Sequence, residues 1–146
     1  MRLETQARTV TEADIVHFAG ISGDFNPLHT DATFAAATPF GQRIAHGLLV
    51  LSMVTGLHSR EGWFDGSTLA FLEISGWRFL KPVFPGDTVR AALEILELRP
   101  TSKPDRGVVR YRNQVYNQRG ELVQEGDFVL LLRRRHDAEE AQGLGN

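Results

Sequence analysis

The sequence contains no cysteine, which excludes disulfides, thiolate metal sites and a cysteine nucleophile. Neither sign of charge is in excess. The formal net charge is −2 and both signs are interspersed, so no electrostatic case exists for nucleic acid or an anionic membrane as partner. Long apolar runs are missing too. The longest apolar-rich stretch, residues 47–57, falls far short of the about 20 residues needed to span a bilayer. The opening Met1-Arg2-Leu3-Glu4-Thr5-Gln6 lacks the apolar segment of a secretory signal, and a cytoplasmic protein is the expectation. No glycine-rich phosphate loop or Gly-x-Ser-x-Gly elbow is present. The histidines do not fall into a metal-ligand spacing with nearby carboxylates, so neither metal nor cofactor is expected.

What remains is an ordinary globular composition, 42% hydrophobic and 23% charged over 146 residues. That is enough chain for one domain with a real core. The first half reads as helices and loops. Thr11 and Asp14 form a capping box for a helix that stops at Gly23. Asn26-Pro27 then imposes an irregular turn. Thr30 or Asp31 caps a short helix over 32–37, and a third helix runs from 46–47 to about 58. Its apolar residues, Leu48 to Leu57, surround it, which predicts a buried helix.

The second half reads as strands over 68–74, 77–83, 88–98, 108–116 and 122–132, all rich in β-branched and aromatic residues. Phe84-Pro85-Gly86-Asp87 suits a type II turn, and residues 117–120 suit a hairpin loop. Val89, Ala91, Leu93 and Ile95 alternate with more polar neighbours, the pattern of a sheet with one buried face. A long buried helix followed by antiparallel strands predicts an α+β fold in which the sheet wraps the helix. The body is expected to span 1–132. The polar residues 133–146 cannot bury a face and are expected to fray.

Chemistry concentrates in Ser22-Gly23-Asp24-Phe25-Asn26-Pro27-Leu28-His29. A carboxylate and an imidazole that meet can hold one water, one group taking a proton while the other delivers one. Asn26-Pro27 stiffens the loop so that both side chains face a shared point. A single Asp or His most often just caps a turn or serves structure, and the whole string is what argues for chemistry. A second element, Ile44-Ala45-His46-Gly47-Leu48-Leu49, sets Gly47 at a helix start. Free N–H groups and the helix dipole there favour developing negative charge, and a residue without Cβ allows close approach. His46 reads as structural. Arg60, Arg78, Lys81 and Arg99 are either a solvated surface or contacts to phosphate. Trp63 and Phe64 either line a pocket or anchor a loop.

Asp24-x-Asn26-Pro27-x-His29, followed by Ala45-His46-Gly47-Leu48-Leu49 and by the stretch 79–87 with Pro82-Val83 and Gly86-Asp87, resembles the MaoC-like hydratases, or (R)-specific enoyl-CoA hydratases. The resemblance covers residues 10–132. It implies a hot-dog fold, a sheet wrapped around a long central helix. It also implies a hydro-lyase that adds water reversibly to a trans-2-enoyl thioester, giving a (3R)-hydroxyacyl thioester. Asp24 and His29 match the catalytic pair, and Gly47 the N–H that receives the thioester carbonyl. Asn26 matches a residue supporting the active-site loop. Thr55 falls where several hydratases carry a serine near the acyl pocket. The implied partners are an acyl-CoA or acyl carrier protein thioester and a second copy in a homodimer. An acyl-CoA thioesterase on the same fold and a non-catalytic acyl-thioester-binding subunit are the competing readings, because fold alone does not fix function.

Overall fold

The structure, a computed structural model, describes residues 2–134. Helix α1 is Glu12–Ser22. Thr11 accepts from the Asp14 N–H and the Asp14 carboxylate accepts from the Thr11 N–H, so the expected capping box is present. Gly23 ends the helix at φ 76°, a left-handed value that glycine adopts without strain. Two short helices follow, α2 at Pro27–Thr30 and α3 at Ala32–Ala36, and then the central helix α4 at Gly47–Glu61. The stretch expected to be an irregular turn therefore contains one helical turn. Pro27 starts it because a first-turn residue needs no N–H, and the Asn26 side chain caps it by accepting from the Leu28 N–H.

Strands β1 (Arg2–Glu4), β2 (Arg8–Thr9), β3 (Thr68–Phe79), β4 (Thr88–Pro100), β5 (Arg106–Tyr116) and β6 (Leu122–Arg133) pair antiparallel in the order β1-β4-β5-β6-β3, with β2 also on β4. Two expectations change here. The separate strands over 68–74 and 77–83 are one strand, β3. Gly76, at φ 62°, sits in a register shift between Ser75 and Arg78, so a bulge stands where a break was read. Residues 80–83 leave the ladder, and Pro82 has no N–H to continue it. β1 and β2 are too short for a period to show in the sequence.

The sheet wraps α4. Val50, Met53, Val54 and Leu57 pack against Val89, Leu93, Val109, Val115 and Phe128 in one core. The helix is buried along one side only, however, because Leu48, Ser52, Thr55 and Gly56 are exposed on the single chain. The Phe84–Asp87 turn closes as expected, with the Asp87 N–H on the Phe84 carbonyl at 3.0 Å and Gly86 at φ 93°. β6 ends at Arg133. Residues 135–146 of the expected tail lie outside the described residues. No helix among the described residues is long and apolar enough to cross a membrane.

Candidate active site

The end of α1 launches the site. Past Gly23, the Asp24 N–H donates to Ser22 Oγ, and Asp24 Oδ1 accepts from the Asn26 N–H at 3.1 Å. Asn26 Oδ1 in turn accepts from the Leu28 N–H, and Thr30 Oγ1 donates to the Phe25 and Asn26 carbonyls. A loop of small polar residues thus ties its own backbone, as such residues do in turns. Asp24 is left exposed, with Oδ2 unoccupied by these bonds. The Asn26 side-chain oxygen is thus engaged within the loop.

His29, on α2, is only 9% exposed. Its Nδ1 lies 2.7 Å from the Ile44 carbonyl. A carbonyl has no hydrogen to give, so Nδ1 donates, and in the neutral ring Nε2 carries the lone pair. His46, 2% exposed, turns its Nε2 onto the Asp24 carbonyl at 2.9 Å and stacks on His29, ring centroids 3.9 Å apart with 26° between planes. Donor atoms of Asp24, His29 and His46 all lie within 4.8 Å of one another. The sequence spacing did not reveal this trio, because His46 comes from the far side of α3.

Such a trio raises the question of a metal. Imidazole binds a cation through a lone pair in the ring plane, so a shared cation must sit near both planes. Two rings stacked at 3.9 Å keep those planes side by side instead of converging, and the trio does not fit a tetrahedral ion.

The segment from Arg43 to His46 carries the site to α4. Arg43 pairs with Glu12 of α1, and this hydrogen-bonded guanidinium holds the Glu12 carboxyl below its usual range. The Ala45 N–H donates to the Val83 carbonyl at 2.7 Å. Gly47 then opens α4, and its N–H has no acceptor among the described residues. A Cβ on Gly47 would stand 2.7 Å from two atoms of the Phe79 ring, so only glycine fits beneath that ring. The Gly47 carbonyl accepts from Gln124 Nε2 at 3.2 Å, and Gln124 Oε1 accepts from Trp77 Nε1 at 3.0 Å. Trp77 lies flat on β6 because Gly126 has no side chain: a Cβ there would meet it at 2.6 Å. The start of α4 is thus anchored to the sheet through one buried amide.

Beside Gly47 lies a cavity of about 670 Å³ with apolar walls that include Phe40, Leu48, Phe79 and Leu80. Gln124 and Lys81 are its polar side chains, and Lys81 is paired with Glu121 at 2.6 Å. Asp24 and His29 are not part of this lining. They lie across the 44–47 segment, whose Ile44 borders the cavity and also holds His29.

Thr55 is not gathered with Gly47. It lies two turns along α4, its hydroxyl on the Ser52 carbonyl, and borders a smaller cavity of about 150 Å³ with His58, Phe64 and Tyr111. Of the four basic residues singled out, only Lys81 reaches the larger cavity. Arg60 bonds Gln6 and Arg99 pairs with Glu97. Trp63 and Phe64 pack on His58 and the core, anchoring the loop after α4, and Phe64 also borders the smaller cavity. Sequence reading missed Gln124, Trp77 and Phe79, whose partners are far away in the chain and follow no local motif.

A family model for the MaoC like domain matches residues 1–117. An (R)-specific enoyl-CoA hydratase from Aeromonas caviae is 37% identical over 120 residues, 82% of this chain and 84% of the relative. A 3-hydroxybutyryl-CoA dehydratase from Methylorubrum extorquens is 35% identical over 136 residues, 93% of this chain and 82% of that one. Among solved structures, a monoamine oxidase regulatory protein from Archaeoglobus fulgidus superposes with TM-score 0.85 at 44% identity, covering 92% of this chain and 89% of that one. The (R)-hydratase from A. caviae involved in PHA biosynthesis gives 0.75 at 35% identity, over 89% of this chain and 92% of that one. The fold is the hot-dog fold. The chain belongs to the MaoC-like family.

Proposed function

We propose that the protein adds water reversibly to a trans-2-enoyl thioester and yields the (3R)-hydroxyacyl thioester, with Asp24 and His29 as its catalytic pair. The broader class, an acyl-thioester hydro-lyase, is that of its hydratase and dehydratase relatives. The observation that carries the reading is the state of His29. Its Nδ1–H is committed to the Ile44 carbonyl, which leaves Nε2 for the lone pair of the neutral ring, and the ring lies within reach of the Asp24 carboxylate, one ligand atom from each falling within 4.8 Å. Such a pair can hold a water and move protons.

The chemistry follows from that arrangement. The thioester carbonyl accepts the Gly47 N–H at the positive end of α4, which stabilises the enolate-like oxygen that forms as C3 is attacked. Water adds its oxygen to C3. The pair accepts one proton from that water and returns one to C2, so the pair ends as it began and the reverse reaction expels water from the same site. The apolar cavity suits the uncharged part of a thioester, and Asn26 holds the loop that aims Asp24.

A second copy of the chain is the proposed partner. Among the described strands β3 pairs only with β6, and its Leu69, Phe71, Leu72, Ile74 and Phe79 are exposed on the single chain. An apolar open edge of this kind invites pairing. Phe79 is 54% exposed and covers Gly47, so a partner on this edge would also close the cavity.

The test is product analysis. Purified protein is given trans-2-enoyl thioesters on coenzyme A and on acyl carrier protein, and the 3-hydroxy product is resolved by chirality. Saturated acyl-CoA is run in parallel for release of free thiol. A (3R) product without thiol release supports the proposal, whereas thiol release from the saturated substrate turns the reading to a thioesterase.

A further inference from the structure

The geometry points to His46 as a positioning residue that sets Asp24 against His29 and both against the Gly47 N–H. This inference rests on the hydratase reading of that pair and adds a residue that neither reacts nor caps. His46 is the residue before α4, yet its side chain makes no cap bond to the helix. It reaches back instead across 22 positions of chain to the Asp24 carbonyl at 2.9 Å. The ring face lies on His29 at 3.9 Å, and the edge of Phe18 of α1 meets it at 4.9 Å.

Three separately built parts therefore meet on one buried ring. The loop carrying Asp24 hangs from Nε2. The imidazole of His29 rests on its face. The backbone of His46 leads directly into Gly47. The Asp24 carbonyl must accept, so Nε2 carries the hydrogen and Nδ1 is the lone-pair nitrogen of the neutral ring. That Nδ1 is buried with no partner among the described residues. A side chain chosen only to fill this space would not leave a buried polar atom unsatisfied, at a cost of about 1–3 kcal/mol. The ring is retained for its other nitrogen and its face. A misplacement of about 1 Å can cost a reaction about 100-fold, which is the scale on which such a brace acts.

Two substitutions separate the roles. His46→Phe keeps a flat ring on His29 and loses the donor to Asp24. His46→Gln can keep a side-chain N–H for the Asp24 carbonyl and loses the stack. Each is measured for kcat and KM on trans-2-butenoyl-CoA, for binding of unreactive butyryl-CoA, and for melting temperature. The expected result is a fall in kcat of about 10- to 100-fold for His46→Phe, with butyryl-CoA binding and melting close to wild type and His46→Gln in between. A kcat within twofold of wild type, or a loss that merely tracks lost binding or melting, overturns the positioning role. A wild type that does not hydrate enoyl thioesters overturns the hydratase reading instead. Positioning is then decided by crystal structures of wild type and His46→Phe: a 23–26 loop displaced from His29 supports it, and an unmoved loop overturns it.

Discussion

The two ends of α4 are built from similar materials to opposite effect. At its start, one ring nitrogen each of His29 and His46 and the Gln124 amide find a backbone carbonyl, and the half-buried Trp77 donates to Gln124, leaving His46 Nδ1 as the one buried side-chain atom of this group without a partner among the described residues. Near its other end His58 is 4% exposed inside a ring of Trp63, Phe64, Tyr111 and Phe128. His58 Nε2 and both polar atoms of the Asn113 side chain have no partner of normal geometry there. Burial pushes the His58 imidazole down to about 4, with Asn113 opposing the shift. One end is wired so that donors and lone pairs point in fixed directions. The other withdraws a titratable ring from water among aromatic rings, with Asn113 offsetting only part of the loss. The contrast teaches that burial alone does not orient a histidine, whereas committing one ring nitrogen to a fixed acceptor does.

This comparison can be broken from either side. Asp24→Asn or His29→Ala should lower kcat by about 100- to 10,000-fold while the melting temperature stays near wild type, checked by initial rates and calorimetry. The opposite signature belongs to His58. Its folded-state value lies below the ordinary 6.5, so between these values the unfolded chain takes up a proton that the folded one refuses. Stability is unaffected by this group above pH 6.5. It falls as pH drops from 6.5 to about 4, by no more than about 3 kcal/mol, and the penalty then stops growing. His58→Phe should flatten that acid slope in urea titrations and leave kcat unchanged at neutral pH.

Smaller effects sharpen the picture at the start of α4. Gly47→Ala places a methyl 2.7 Å from the Phe79 ring, and overpacking of this kind costs about 1–3 kcal/mol. It should raise KM and lower kcat together, with partial recovery when Phe79→Ala is added. Gln124→Met keeps the volume but loses the donor to Gly47 and the acceptor for Trp77. One buried hydrogen bond is worth about 1 kcal/mol, so about a 5-fold loss in kcat is expected, accompanied by a shift in Trp77 fluorescence.

Local features of the chain were legible in the sequence. Thr11 and Asp14 announced α1, Gly23 its end, Pro85-Gly86 the turn, and Val89, Ala91 and Leu93 the buried face of β4. These depend on neighbours a few residues away. The motif residues Asp24, Asn26, His29 and Gly47 could be picked out, and the structure gathers the first three on one loop and helix turn. Thr55 was placed by resemblance, and it lies apart. Gly76 was read as a break because a bulge and a turn use the same residue. His46 and Gln124 were read as structural or passed over because their partners lie 22 and 77 positions away, and no periodicity encodes such contacts. The exposed side of α4 looked buried because the run Leu48 to Leu57 was read as apolar all round, whereas Leu48, Ser52, Thr55 and Gly56 share a face that is exposed on the single chain.

The most direct test of the account is loss of enoyl-thioester absorbance when the wild-type protein meets trans-2-butenoyl-CoA, with Asp24→Asn alongside. Rapid loss is expected with the wild type and almost none with the variant at equal folded concentration. Equal rates in the two would contradict it, and so would a wild type inert towards enoyl thioesters of every chain length on either carrier.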